Sequence, residues 1–352
     1  MNADQKIWPV IVVGGGQSGL AAGYFLKQLK SDFIILDENP HTGDSWRNRW
    51  DSLHLFTPAR HDGLPGMKFP SHGNGFPDKN QVAQYLSDYS DKFHLPVRFN
   101  VKVKKISSAN GGFKLDTSEG VFQAGKVVIA TGTHPVPKVP DFAKELSSDI
   151  FQIHSSGYKN PGMLPEGDVL VVGAGTSGVE IALEVSGYRK TYISGNPTFH
   201  IPDNVFRYAG GLYWWAVNNI LTVSTPVGKK VKKKILKGGG PLINISMEDL
   251  EESGVIRLHR MKGVSRGMPF MEDDTTVNVK TVIWCTGFRP DFSWIDLDVQ
   301  DGSGWPLTRR GISEKQKGLY FMGMPFQYSL ASGFIGGVGR DAAHMVRKLV
   351  NQ

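Results

Sequence analysis

A chain of 352 residues exceeds the size at which one hydrophobic core usually keeps growing, so two domains of ordinary size are expected. Hydrophobic residues at 40% and charged residues at 21% suit a water-soluble globular protein, and 42 glycines and 20 prolines are too dispersed for collagen or low complexity. A single cysteine, Cys285, rules out an internal disulfide framework, a cysteine zinc site and a CxxC redox pair, and fits a reducing cytoplasm.

The formal charge of +7 gathers in part at Lys229, Lys230, Lys232, Lys233, Lys234 and Lys237. Such runs are ordinarily solvated faces. Attraction of an anionic cofactor is the more economical functional reading, with a membrane-surface role as the alternative. No zinc finger, helix-turn-helix or RNA-binding signature accompanies the lysines, so nucleic acid is not an expected partner. The N-terminus lacks a basic stretch leading into an apolar core, and no apolar run approaches ~20 residues, so neither export nor stable membrane insertion is expected.

In chain order, Val10 to Val13 read as a buried strand, followed at once by Gly14, Gly16 and Gly19 and a helix over LAAGYFLKQL. A second apolar run, Phe33 to Leu36, ends at Asp37 and Glu38. This is the order of a dinucleotide-binding βαβ unit. Gly14 permits the sharp turn, Gly16 lets the backbone approach a pyrophosphate, and Gly19 lets the helix pack on the strand. The helix start, at Gln17 and Ser18, then offers unpaired N–H groups and a positive dipole end to a dianion. Asp37 is suited to accept hydrogen bonds from ribose hydroxyls. The following stretch reads as alternating strands and a hairpin, from Val101 through Val103 to a buried run at Val127 to Ala130, and then Thr131 and Gly132.

The nucleotide pattern recurs. A strand over Asp168 to Val172 precedes Gly173, Gly175, Thr176, Ser177 and Gly178, a helix over VEIALEVS, and a second strand over RKTYIS. Here no acid follows; Ser194, Gly195, Asn196 and Pro197 occupy the specificity position, and no arginine follows them. Neither a 2′-hydroxyl nor a 2′-phosphate has its usual strong partner, which implies relaxed use of NADH and NADPH, with Arg189 and Lys190 as nearby phosphate candidates. Trp214 and Trp215 are expected to pack a helix, Asn244 to Glu252 to start one, and Cys285 to be a buried small hydrophobe. His41, His54, His61 and His72 show no ligand spacing, and no metal is expected.

The ATG at Ala130 to Gly132, with Pro137 and Pro140, resembles the outgoing linker of flavin-containing monooxygenases, and Val282 to Gly287 resembles their return linker. GDSWRNRW, with Ser45, Trp46 and Arg47, resembles the segment beside the flavin, and Phe76 to Tyr89 the helix after it. IFQIHSSGY resembles the FxGxxxHxxx(F/Y) identifying motif: His154 and Tyr158 match, whereas Ser148 and Ile150 stand at its Phe and Gly positions. Tyr158 in place of tryptophan argues against the Baeyer–Villiger subgroup. The C-terminal segment, through Phe334 into a last helix, resembles the one that closes over flavin, although Met324 stands where related disulfide reductases carry an aspartate.

The resemblance implies an α/β protein of two Rossmann-like, three-layer ββα domains: an FAD domain of residues 1–140 and 286–352, interrupted by a nicotinamide domain of residues 141–285. It implies FAD contacts at the first glycine turn, Asp37, Glu38, Ser45, Trp46, Arg47, His54, Val103, Ala130, Thr131, Gly132 and Phe334. It implies NADH or NADPH contacts at the second turn, His154, Ser194, Gly195, Asn196 and Gly287. The implied activity is cytoplasmic, O₂-dependent oxygenation of a small thioether, amine or ketone through a flavin C4a-(hydro)peroxide, without a catalytic side chain. An FAD-dependent NAD(P)H oxidase or a quinone or ferredoxin reductase stays open, as does a homodimer. A thioredoxin-reductase-type enzyme needs a dithiol that this chain lacks.

Overall fold

The computed structural model describes residues 6–70, 75–109, 111–132 and 136–351; His72 and residues 133–135 of the first linker lie outside the described residues. Strand β1 (Ile7–Val13) enters the glycine turn, helix α1 (Gln17–Gln28) leaves it, and β2 (Phe33–Leu36) returns parallel to β1. A short helix α2 (Asp44–Arg47) and the longer α3 (Lys79–Lys92) follow, the latter started by a reciprocal capping box between Asp78 and Gln81. After β3 (Val97–Arg98) come β4 (Val103–Ala109), β5 (Gly112–Thr117) and β6 (Gly120–Ile129), an antiparallel meander. From Gln123 to Ile129, β6 pairs in parallel with β1, sharing Gln123 and Ala124 with the meander before leaving it.

Strict alternation along these strands makes the layers. Val10, Val12, Phe33, Ile35 and Val128 face one core, shared with α1 and α3. Ile11, Val13, Ile34, Leu36, Val127 and Ile129 face the other, shared with Phe113, Leu115 and Phe122 of the meander. Strands buried on both faces read as continuous apolar runs, which is why the sequence shows them so clearly.

The first linker contributes β7 (Val136–Pro137), and β8 (Phe151–His154) opens a second sheet. Strand β9 (Val169–Val172), helix α4 (Thr176–Ser186) and β10 (Thr191–Ser194) repeat the first βαβ unit. Next come α5 (Asp203–Asn219), α6 (Pro226–Gly238) and α7 (Met247–Glu252), then β11 (Ile256–Leu258), the hairpin β12 (Met261–Ser265) and β13 (Met268–Met271), and β14 (Thr281–Trp284). The second sheet is wholly parallel in the order β11, β10, β9, β14, β8. Val169, Val171, Ile193 and Ile283 pack toward α4, while Leu170, Val172, Val282 and Trp284 pack toward the hairpin. Both sheets therefore have the same three-layer plan.

The chain then returns. Strand β15 (Phe288–Arg289) pairs antiparallel with β7, so the two linkers run side by side. Strands β16 (Thr308–Arg309), β17 (Ile312–Ser313) and β18 (Leu319–Phe321) rejoin the first sheet, β18 lying parallel to β6, and α8 (Val338–Val350) packs on α1.

The helical segment α5 and α6 docks across on the first domain. Leu330 N–H donates to Leu221 O, Val223 N–H donates to Tyr328 O, and Arg340 donates to Asn218 O at 2.7 Å. Trp214 and Val217 are buried there with Ile201, Ile243 and Ala331, whereas Trp215 is exposed; only one of the two tryptophans packs the helix core.

Asp62, which follows the His61 ring that lies 5.8 Å from Trp214, is wholly buried. Its Oδ1 accepts the Thr57 hydroxyl, and its Oδ2 has no hydrogen-bond partner among the described residues. Burial pushes this carboxyl up to about 7, only partly opposed by the Thr57 hydrogen bond. A folded pKa raised above the unfolded one gives stability that is full below the unfolded value and lost as pH rises to the folded value. Wild-type stability is therefore expected to fall between about pH 4 and pH 7 from this group. Asp62→Asn should flatten that part of the curve, measured as unfolding midpoint against pH, and a variant with an unchanged slope would contradict the assignment.

Candidate functional site: two glycine turns

The two βαβ turns are built alike. Gly14 has φ +103 and Gly173 φ +112, which L side chains rarely adopt. A Cβ on Gly14 would stand 2.6 Å from Ala130 O, and one on Gly173 2.3 Å from Cys285 O. A Cβ on Gly19 would stand 1.8 Å from Gly14 O, and one on Gly178 1.8 Å from Gly173 O. Each helix start is thus held against its strand end with room for backbone alone. At Gly16 and Gly175, by contrast, a Cβ would meet nothing within 4 Å: both face open space.

Neither α1 nor α4 has a side-chain cap on its first turn. The N–H groups at Gln17 to Gly19 and at Thr176 to Gly178 open onto that space, an arrangement that suits a pyrophosphate at each turn. The residues present fit two dinucleotides.

The surroundings of the first turn draw together distant segments. Gly14 N–H donates to Leu36 O at 2.8 Å, and Ala130 N–H donates to Val13 O at 2.8 Å. The Asp37 carboxylate accepts the Gly15 N–H on one oxygen and the Asn39 N–H and side-chain amide on the other. Val101 N–H donates to Asp37 O, and Lys102 pairs with Glu38 at 3.0 Å, so the start of β4 with Val103 lies beside the acidic end of β2. Val103 itself packs into the meander core.

On the other side, Gln17 is a bridge. Its Oε1 accepts the Trp46 indole N–H at 3.2 Å and its Nε2 donates to Gly333 O at 3.2 Å. Phe334 follows, edge-to-face with Phe56 at 5.2 Å and with Trp214 at 6.3 Å. Arg47 does not point to the turn: it donates to Thr42 O and pairs with Asp44 at 2.8 Å. Ser45, Thr131 and Gly132 are exposed, Gly132 with φ +77. His54 is exposed, with Nδ1 2.8 Å from Ser52 O.

Sequence reasoning passed over two anchors. The ammonium of Lys79, almost wholly buried, donates to Arg47 O, Arg49 O and Asp51 and so fixes the α2 segment that carries Trp46. Gly323, φ +77, sits so close that a Cβ would stand 2.5 Å from Ser18 Oγ, setting the C-terminal segment against the start of α1. A buried lysine gives no sequence signal; Gly323 was visible only as one glycine among many.

At the second turn, equivalence of hydrogen bonds corrects the sequence register. Gly173 N–H donates to Ser194 O at 2.7 Å, as Gly14 does to Leu36, and Cys285 N–H donates to Val172 O as Ala130 does to Val13. Ser194 therefore matches Leu36, and Gly195, φ +133, matches Asp37. The Ser194 hydroxyl is fully buried away from the turn, donating to His259 O and accepting the Met261 N–H, both at 2.8 Å. The hydroxyl is committed to the protein core and points no polar group at the turn. Asn196 is exposed just beyond.

His154 joins the second sheet to the return linker. Its Nε2 donates to Gly287 O at 3.0 Å, the tautomer set by Ser156, whose N–H donates to Nδ1. Burial lowers its pKa, which favours the neutral ring that accepts at Nδ1 from Ser156. Gly287, φ +81, also accepts the Lys138 N–H from the outgoing linker. Tyr158 is fully buried and donates to Glu184 at 2.6 Å. Near it, Asp51 N–H donates to Lys159 O and Asn160 donates to Asp51, tying the α2 segment to the second domain. Cys285 is partly buried rather than enclosed, and desolvation pushes its thiol up to about 12. It does not supply a thiolate at neutral pH.

Residues 11–205 match the family model described as pyridine nucleotide-disulphide oxidoreductase. The chain is 39% identical to an uncharacterized CzcO-like oxidoreductase of Geobacillus kaustophilus, over 99% of each chain. It is 28% identical to the probable indole-3-pyruvate monooxygenase YUCCA3 of Arabidopsis thaliana, covering 89% of this chain and 81% of that one. A flavin-containing monooxygenase from Stenotrophomonas maltophilia superposes with a TM-score of 0.79 at 27% identity, over 97% of this chain and 98% of that one. With paired glycine turns, two three-layer domains and these relatives, the chain belongs to the pyridine nucleotide-disulphide oxidoreductase family, among its flavin-containing monooxygenase-like members.

Proposed function

We propose that the protein is an NAD(P)H- and O₂-dependent flavoprotein monooxygenase that transfers one oxygen atom to a small soft nucleophile, a thioether or an amine. The observation that carries this reading is the duplicated uncapped turn with open space at Gly16 and Gly175, beside a single cysteine whose thiol burial keeps protonated. A dithiol route is closed to this chain. FAD is assigned to the turn at Gly14 to Gly19, and the nicotinamide dinucleotide to the turn at Gly173 to Gly178. The proposed division is residues 1–140 with 286–352, and 141–285.

Flavin, when bound, supplies hydride acceptance and oxygen activation. The chain's own residues bind, orient and shield. Asp37, between Gly15 and Asn39, faces the ribose end. Gln17, holding Trp46 and Gly333 together, braces the walls of the flavin site, and Phe334, Phe56 and Trp214 form an apolar cover that excludes water. Neutral His154 acts on linker geometry through Gly287 and is a positioning residue.

The oxygenation test is direct. Purified holoprotein given NAD(P)H and O₂ should form sulfoxide or N-oxide in step with coenzyme consumption on a panel of thioethers and amines. Hydrogen peroxide as the only product across the panel would replace this reading with an oxidase. Reduction of quinones without O₂ dependence would replace it with a reductase.

Coenzyme choice follows from Gly195 and Asn196, which present neither carboxylate nor guanidinium to the adenosine ribose. NADH and NADPH should therefore give similar kcat/KM. Asn196→Arg should favour NADPH by about tenfold, the effect of one added charge-assisted contact to the 2′-phosphate. A variant whose coenzyme ratio does not move would take the ribose of the second dinucleotide away from this residue.

A further inference from the structure

The whole net charge of the chain sits on one segment. Between Asp203 and Glu248 there is no acidic residue, while Arg207 and the six lysines of α6 supply seven positive charges. Removing those seven from the 40 basic residues leaves 33, equal to the 33 acidic residues, so the rest of the molecule is balanced.

The same segment carries an uncovered apolar face. On α5, Trp214 and Val217 are buried against the first domain, yet Tyr208, Leu212 and Trp215 are 79%, 66% and 54% exposed. Leu212 and Trp215, three residues apart beyond the kink at Ala209, lie on one helical stripe, and Tyr208 stands just before the kink. A helix apolar on two faces ordinarily has two partners. The turn after it exposes Ile220, and Val227 and Leu236 are exposed on α6 among Lys229, Lys230, Lys233 and Lys234. The core-facing positions of α6 are Gly228, Val231, Lys232 and Ile235, so the lysines named are held outward. Lys234 lies over the exposed Phe199 ring at 4.3 Å. Aromatic and aliphatic side chains interleaved with ammonium groups are the makeup of a surface that sits at a lipid headgroup boundary.

We propose that the α5–α6 segment docks this protein peripherally on an anionic phospholipid surface, lysines on the headgroups and Leu212 and Trp215 in the acyl boundary. Among the described residues no helix is long and apolar enough to cross a membrane, so the contact is superficial. The concentration of all the excess charge on this segment favours an anionic bilayer over a second copy, whose own segment would bring like charges together. Docking would set Trp214 and Phe334, where α5 packs on the first domain, close to the bilayer, where an apolar substrate is concentrated.

Cosedimentation of the FAD-loaded full chain with vesicles tests this. Binding is expected to phosphatidylcholine vesicles containing phosphatidylglycerol, to fall as salt is raised, and to be at least about tenfold weaker on phosphatidylcholine alone. Lys229→Gln, Lys230→Gln, Lys233→Gln and Lys234→Gln combined should lose the preference for anionic vesicles. Leu212→Ser with Trp215→Ser should weaken binding while retaining flavin and the unfolding midpoint. No binding of the unmodified chain to anionic vesicles overturns the proposal, as does equal binding to neutral ones. So does a dimer in light scattering that Leu212→Ser with Trp215→Ser dissolves while vesicles fail to bind, or retention on heparin without vesicle binding.

Discussion

Two helix ends pressed against two strand ends, with no side chain between them, set the rest of this structure. At Gly19 and Gly178 the helix lies so near the preceding turn that one added carbon would overlap a carbonyl oxygen. That closeness aims the first N–H groups of α1 and α4 outward from the strand ends, where no side chain caps them. A pair of unsatisfied helix ends persists because water or an anion completes it, and open space at Gly16 and Gly175 leaves room for the anion. Everything else in the fold places these two ends relative to one another.

The placement is made by alternation and by linkers. Each sheet strand turns its odd and even side chains to different layers, so one face takes a helix and the other a meander or hairpin. The β7–β15 ribbon joins the layers into one molecule, and His154 closes it by binding Gly287. The contacts of Asp51 with Lys159 and Asn160 add a second tether. A two-stranded ribbon with few cross-bonds is a natural hinge, and motion about it would change the distance between the glycine turns.

What was legible in the residues was whatever local spacing encodes. Buried parallel strands such as Val10 to Val13 are continuous apolar runs. The duplication was legible because both turns need glycine at the same three places. The register after β10 was not: Ser194 was read as part of the specificity position, yet its hydroxyl belongs to the hairpin that packs beneath it, and Gly195 takes the place of Asp37. Only the hydrogen bond from Gly173 fixes that equivalence. The bridging role of Gln17, the buried ammonium of Lys79 and the docking of α5 on the C-terminal segment all join residues far apart in sequence. Such pairings leave no periodic trace. Trp214 and Trp215 illustrate the same limit, since adjacent helical residues face different surroundings and only the packing partner decides which is covered.

The most direct test of the paired-turn account is a binding stoichiometry. Purified protein, saturated with flavin, should carry one FAD per chain and in calorimetric titration bind one further NADP⁺ without displacing it. A polypeptide that remains colourless with added FAD, or in which NADP⁺ competes for the flavin's place, would contradict the account.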